Sequence, residues 1–156
     1  MAQMMTTTIQ ETRASGMGGY FHQMPGGSQS TVSPESAEHA LALLGEMSAD
    51  LRAAAILAAD GEVLASDGPA AEWAESVSSF LSIADEAEGN PVEQAHIATE
   101  AGEVFALRID GLVAVAVTER FTLASLMAFD MRSLLRDLAG TAQVDSATAG
   151  ANGGGA

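Results

Sequence analysis

The sequence contains no cysteine and no lysine. Without thiols, disulfide scaffolds, thiolate metal sites and cysteine nucleophiles are excluded together, and the chain suits a reducing compartment, so a cytoplasmic location is expected. Without lysine, six arginines stand against 21 acidic residues and leave a formal charge of −15. Such a surface repels nucleic acid and anionic lipid, because binding through counterion release needs clustered basic residues. Long apolar runs are missing too. Residues 53–59 and 112–117 are the longest stretches, far short of the ~20 residues that a bilayer span requires. Residues 1–5 are followed by Thr6, Thr7, Thr8, Ile9, Gln10 and Glu11 in place of the apolar core of a secretory signal. Neither export nor membrane insertion is expected.

Signatures of catalysis are equally scarce. His22, His39 and His96 show no His-x-x-x-His spacing, so no metal-ligand set is expected. His96 alternates with Ile97 and would lie on the other sheet face from it, as a satisfied or solvent-facing histidine. No serine stands in a Gly-x-Ser-x-Gly turn. Gly16, Gly18 and Gly19 imitate a phosphate loop but lack its lysine and its strand-to-helix setting. Asp85, Glu86 and Glu88 lack the alternating oxygen ligands and central glycine of a calcium loop. The chain is therefore expected to be no enzyme, with no catalytic residue, no cofactor and no metal.

What remains is a fold legible in turns and periodicity. Residues 1–32, rich in Met, Thr, Ser, Gln and Gly, read as a disordered arm whose one aromatic cluster contains Tyr20 and Phe21. Residues 141–156 read as a disordered tail, and 33–140 as the domain. Ser33, Pro34 and Glu35 make a helix start, after which Ala37, Ala40, Leu41, Leu44, Met47 and Leu51 recur at helical spacing. Residues 52–59 suit a helix by propensity, but Asp60 and Gly61 between two apolar pairs favour a hairpin with strands at 53–59 and 62–66. Asp67, Gly68 and Pro69 open a second helix with a cap and an early proline, carrying Trp73, Val77, Phe80, Leu81 and Ala84 on its apolar side until Gly89. Strands follow at 92–99, 104–109 and 112–118, the last two joined by Asp110 and Gly111. A final helix from Thr122 to Ala139, ended by Gly140, turns Leu123, Leu126, Met127, Met131, Leu134, Leu135 and Leu138 inward. The expected fold is α+β: a five-stranded antiparallel sheet with helices on both faces, in the order α-β-β-α-β-β-β-α.

This order resembles the roadblock (dynein light-chain roadblock) family. The likeness is carried by the alanine-rich strand running into Asp60, Gly61, Glu62, Val63, Leu64, Ala65 and Ser66, by the helix stopped at Gly89, by the strand pair around Val104 to Asp110, and by Thr122 to Leu126 leading to Met131 and Arg132. Profilin-like and longin domains share parts of the layout. The resemblance implies first and last helices on one sheet face and the middle helix on the other. It also implies a homodimer that pairs the third strands edge to edge and packs the middle helices together, using Trp73, Val77, Phe80, Leu81, Ala84, Ala95 and Ile97. It further implies regulation of a small Ras-like GTPase, without an arginine finger on the middle helix, where the side chains offered to a partner are Glu72, Glu75, Asp85, Glu86 and Glu88. Arg120 is the nearest arginine candidate. The acidic residues at the end of that helix oppose its dipole, which hints at a contact. The alternatives are a dimeric adaptor for a larger assembly and a profilin-like small-molecule sensor.

Overall fold

The computed structural model describes residues 6–9 and 31–151. The aromatic cluster around Tyr20 and the glycines Gly16, Gly18 and Gly19 lie outside them. The elements are β1 (Thr6–Ile9), α1 (Pro34–Met47), β2 (Leu51–Ala58), β3 (Val63–Ser66), α2 (Ala70–Glu88), β4 (Gln94–Ala98), β5 (Glu103–Ile109), β6 (Leu112–Thr118) and α3 (Ala124–Ala151). From α1 onward this is the expected order. All strand pairings are antiparallel, and the sheet runs β1-β4-β5-β6-β2-β3.

The ambiguous residues after Leu51 form a strand. Their backbone pairs with β6 along nearly its whole length, and side chains alternate between two buried layers. Ala54 and Ile56 face one layer, Ala55 and Leu57 the other. Helix propensity loses here to burial on both faces. Leu51, counted above with the first helix, belongs to this strand.

One layer is built by α1 and α3, with Leu44, Met131 and Leu135 packed on Ile56, Phe105 and Leu107. The other is built by α2, with Val77, Leu81 and Ala84 packed on Ala55, Ala106 and Val115. First and last helices therefore share a face and the middle helix takes the other.

Several helix ends match their signals. The Ser33 hydroxyl accepts the Ser36 N–H at 3.2 Å, and Gly89 closes α2 in the left-handed region at φ 74°. Others depart from expectation. Asp67 does not cap α2, whose N-cap is Pro69 with no side-chain bond. Its carboxylate accepts the Ala54 N–H at 2.9 Å and its carbonyl accepts the Trp73 indole N–H at 2.8 Å. The Thr122 hydroxyl donates to the Glu119 carbonyl and caps no helix. Gly140 does not end α3, which continues to Ala151 and buries Ala142. The residues beyond Gly140 are rich in alanine and contain no proline, so nothing local stops the ladder. Thr6–Ile9, placed above in the arm, adds a sixth strand antiparallel to β4, with Thr8 opposite His96. Three threonines and an isoleucine, all β-branched, favour this.

At the start of α3 the expected inward face is also corrected. Met127, Met131, Leu134, Leu135 and Leu138 are buried, but Leu123 is 64% and Leu126 53% exposed. The buried arc centres on the Met131 and Leu135 side. Leu126, five residues before Met131, stands well away from it at 100° per residue.

Candidate interaction surface

Among the described residues, the α2 side of the sheet is incompletely roofed. The row Ala55, Val115, Ala106 and Ala95 crosses four strands and is buried beneath Val77, Leu81 and Ala84. Two residues along, the row Ala53, Val117, Val104 and Ile97 crosses the same four strands in register. Each member of this second row is only half-buried. Because side chains two apart on a strand share a face, these four small and β-branched residues form one apolar band. Trp73 and Phe80 of α2, also half-buried, pack against the same core cluster. Ile83, further along α2, is 65% exposed.

The seven residues expected at a self-association interface thus fall into two groups. Val77, Leu81, Ala84 and Ala95 are consumed by the chain's own core, whereas Trp73, Phe80 and Ile97 retain surface. Ala53, Val104 and Val117 were missed by sequence reasoning. Their signal is the cross-strand register, which single-strand periodicity does not supply. The outer edge of β4, where the resemblance sets a second copy, is paired with β1.

Among the acidic residues, Glu72, Glu75, Glu86 and Glu88 are exposed around α2. Asp85 is not free. Its two oxygens accept from the Arg108 guanidinium at 2.7 and 2.9 Å, and Oδ1 also accepts the Val92 N–H at 2.8 Å. The hydrogen bonds from Arg108 hold this carboxyl below the ordinary aspartate range, while burial works in the opposite direction. The misfit between a carboxylate and the helix C-terminal end is thereby answered within the chain. The pair anchors the end of α2 to β5.

A cleft of about 290 Å³ lies between α2 and the β2 end, with Val77, Leu81, Asp85 and Arg108 in its wall. It stands near the lower end of small-molecule site volumes, and the one arginine in its wall is already paired with Asp85, leaving Asp60 as the other charged residue there. Among the described residues no group of three His, Asp or Glu side chains is placed to hold a metal, and no helix is long and apolar enough to cross a membrane.

The other charged contacts are structural. Arg52 forms a two-pronged pair with Glu119 and donates to the Ala101 carbonyl at 2.6 Å. Arg52 lowers the Glu119 pKa and Glu119 raises that of Arg52, both at the surface. His96 stacks on Phe105 at 4.2 Å and meets buried Glu103, Nε2 to Oε2, at 2.7 Å. The second Glu103 oxygen accepts the Phe121 N–H at 2.7 Å. His96 is thus a satisfied histidine on the α1/α3 face, opposite Ile97. Arg120 sits over the Phe121 ring, beyond the end of β6.

No protein-family model matches the chain, and no curated protein matches it. Solved structures do. A roadblock/LC7 domain from Streptomyces avermitilis is 19% identical, with a TM-score of 0.57, over 65% of this chain and 92% of that one. The gliding protein MglB from Thermus thermophilus is 15% identical, with a TM-score of 0.58, over 76% of this chain and 94% of that one. Profilin IB of Acanthamoeba castellanii is 15% identical, with a TM-score of 0.50, over 67% of this chain and 98% of that one. At these identities the likeness is one of fold, and the chain has the roadblock/LC7 fold, whose outline it shares with profilin.

Proposed function

We propose that this chain is a non-catalytic interaction module that self-associates through the α2 side of its sheet and binds and regulates a small Ras-like GTPase. The observation that carries the first half is the half-exposed band of Ala53, Val117, Val104 and Ile97 beside Trp73 and Phe80. A continuous apolar surface of this kind on a small domain is a site that a second copy can cover. Pairing of two β4 edges would require β1 to leave, whereas contact through the band leaves β1 in place.

The second half rests on the roadblock/LC7 fold together with the resemblance to roadblock regulators. It fits an α2 rim of exposed Glu72, Glu75, Glu86 and Glu88, which suits a partner with a basic face. Among the described residues the only arginine on this side, Arg108, is engaged by Asp85, so regulation would proceed by shaping the GTPase from outside. Pull-down from the native cytoplasm in both nucleotide states, followed by GTP-turnover measurement on any GTPase captured, tests it. Recovery of no GTPase in either state would favour the adaptor reading.

A further inference from the structure

The two edges of the sheet are held in different ways. β3 follows β2 after residues 59–62 alone, buries Ala65 in the α1/α3 layer and is bordered by Glu62 and Asp67. β1 is a four-residue strand at the other edge, with β4 as its one strand neighbour. Residues 10–33 separate it from α1. So long a connection confines the strand weakly, and the local concentration of β1 at β4 is lower than that of β3 at β2. Short edge pairings of this kind open at far lower cost than strands in the core.

Charges, prolines or a covering segment are the usual protection of a sheet edge against pairing with another chain. β4, from Gln94 to Ala98, contains no proline and no Asp, Glu or Arg. Among the described residues its cover is β1, which registers with Ala95, His96, Ile97 and Ala98. The direction of pairing matters as well. β1 runs antiparallel to β4, and two copies of one edge related by a two-fold axis through the sheet also pair antiparallel. The β4 of a second copy can therefore take the backbone positions that β1 occupies. With the axis at Ile97, each Ile97 opposes its copy. The half-buried band of Ala53, Val117, Val104 and Ile97 then continues into the band of the second copy on the same face.

We infer that β1 is a displaceable strap: Thr6–Ile9 and the β4 edge of a second copy compete for one row of backbone hydrogen-bonding positions. Each N–H and C=O on that row serves one partner strand, so release of β1 opens the edge to pairing between copies. Continuity with the band selects the occupant. A second copy meets Ile97 with Ile97 and prolongs the apolar row, whereas a foreign strand would end it at β4. The inference rests on the self-association proposed above only in taking a second copy as the partner.

The test uses the full chain and its lack of cysteine. Thr6 and Ala98 are register partners, so Thr6→Cys with Ala98→Cys locks β1 in place through an intramolecular disulfide. Thr7→Pro with Thr8→Pro releases it, because consecutive N–H groups of a strand point to opposite sides and one of the two lost donors faces β4. Association is followed by sedimentation against concentration, and the amides of residues 95–98 by hydrogen exchange. The proline pair should tighten self-association about tenfold or more, into one discrete species, with those amides protected at high concentration and open on dilution. The oxidised lock should associate more weakly than the same protein reduced, and this comparison decides if the proline pair fails to fold. Three results would each overturn the inference: a folded proline variant that associates no more tightly than the wild type, amides 95–98 open in it at every concentration, or equal association of the oxidised and reduced lock. A wild type that self-associates while the proline pair and the lock change nothing removes the strap and spares the band. A monomeric wild type whose proline variant dimerises does the reverse.

Discussion

Asp85 shows how one side chain can look functional in sequence and prove structural in space. Its carboxylate joins α2 to Arg108 and to the Val92 N–H, and its depressed pKa makes that link dependent on pH. A group whose folded pKa lies below its unfolded value stabilises fully above the unfolded value, near ~3.9 for aspartate, and loses that contribution as pH falls through the folded one. Asp85→Asn should accordingly lower stability at neutral pH by about 1 kcal/mol after solvent screening. Thermal melts in series should show the gap between wild type and variant closing below about pH 4. Gly102 offers a second residue-scale case. A Cβ there would collide with the Thr118 backbone carbonyl and crowd the Arg52 guanidinium at 3.1 Å. Since the carbonyl belongs to a paired strand, it cannot swing aside. Gly102→Ala should cost about 1–3 kcal/mol, the usual range of overpacking, measurable by urea unfolding.

At the scale of the element, α3 is the instructive one. Its glycine was a reasonable stop signal, yet the helix passes through it because alanine-rich sequence continues on the far side. Nothing lies within 4 Å of a Cβ built on Gly140. Gly140→Ala should therefore stabilise the protein by about 0.5–1 kcal/mol, through helix propensity and a less disordered unfolded chain. A rise in melting temperature with unchanged far-ultraviolet dichroism is the expected signature, and a fall would mean that the helix stops where the glycine stands. The same helix shows why apolar identity is a poor guide to direction. Leu123 and Leu126 are as hydrophobic as Leu134 and Leu135, but only the latter pair falls on the arc that meets the sheet.

At the scale of the whole molecule, among the described residues, α1 and α3 cover one face of the sheet and α2 covers only part of the other, and self-association is the expected consequence. Light scattering should give a mass above that of a monomer for the wild type. Ile97→Glu or Phe80→Glu, each placing a charge in or beside the apolar band, should shift the population to monomer or to aggregate. A monomeric wild type at all accessible concentrations would remove the proposed interface.

The sequence alone determined β2 to β6, the turns that join them and most of the apolar faces, though neither β1 nor the exposed start of α3, because these depend on neighbours within a few residues: Asp110 and Gly111 both adopt positive φ, and Ser33 caps α1. Only the tertiary structure decided which apolar residues were spent on the core. Val77 and Val104 carry the same side chain, and what separates the buried one from the half-exposed one is where α2 ends its cover of the sheet. That depends on contacts between segments far apart in the chain. Pairing of Asp85 with Arg108 is decided in the same way, since burial and charge partnership are properties of surfaces that exist only after the elements have packed.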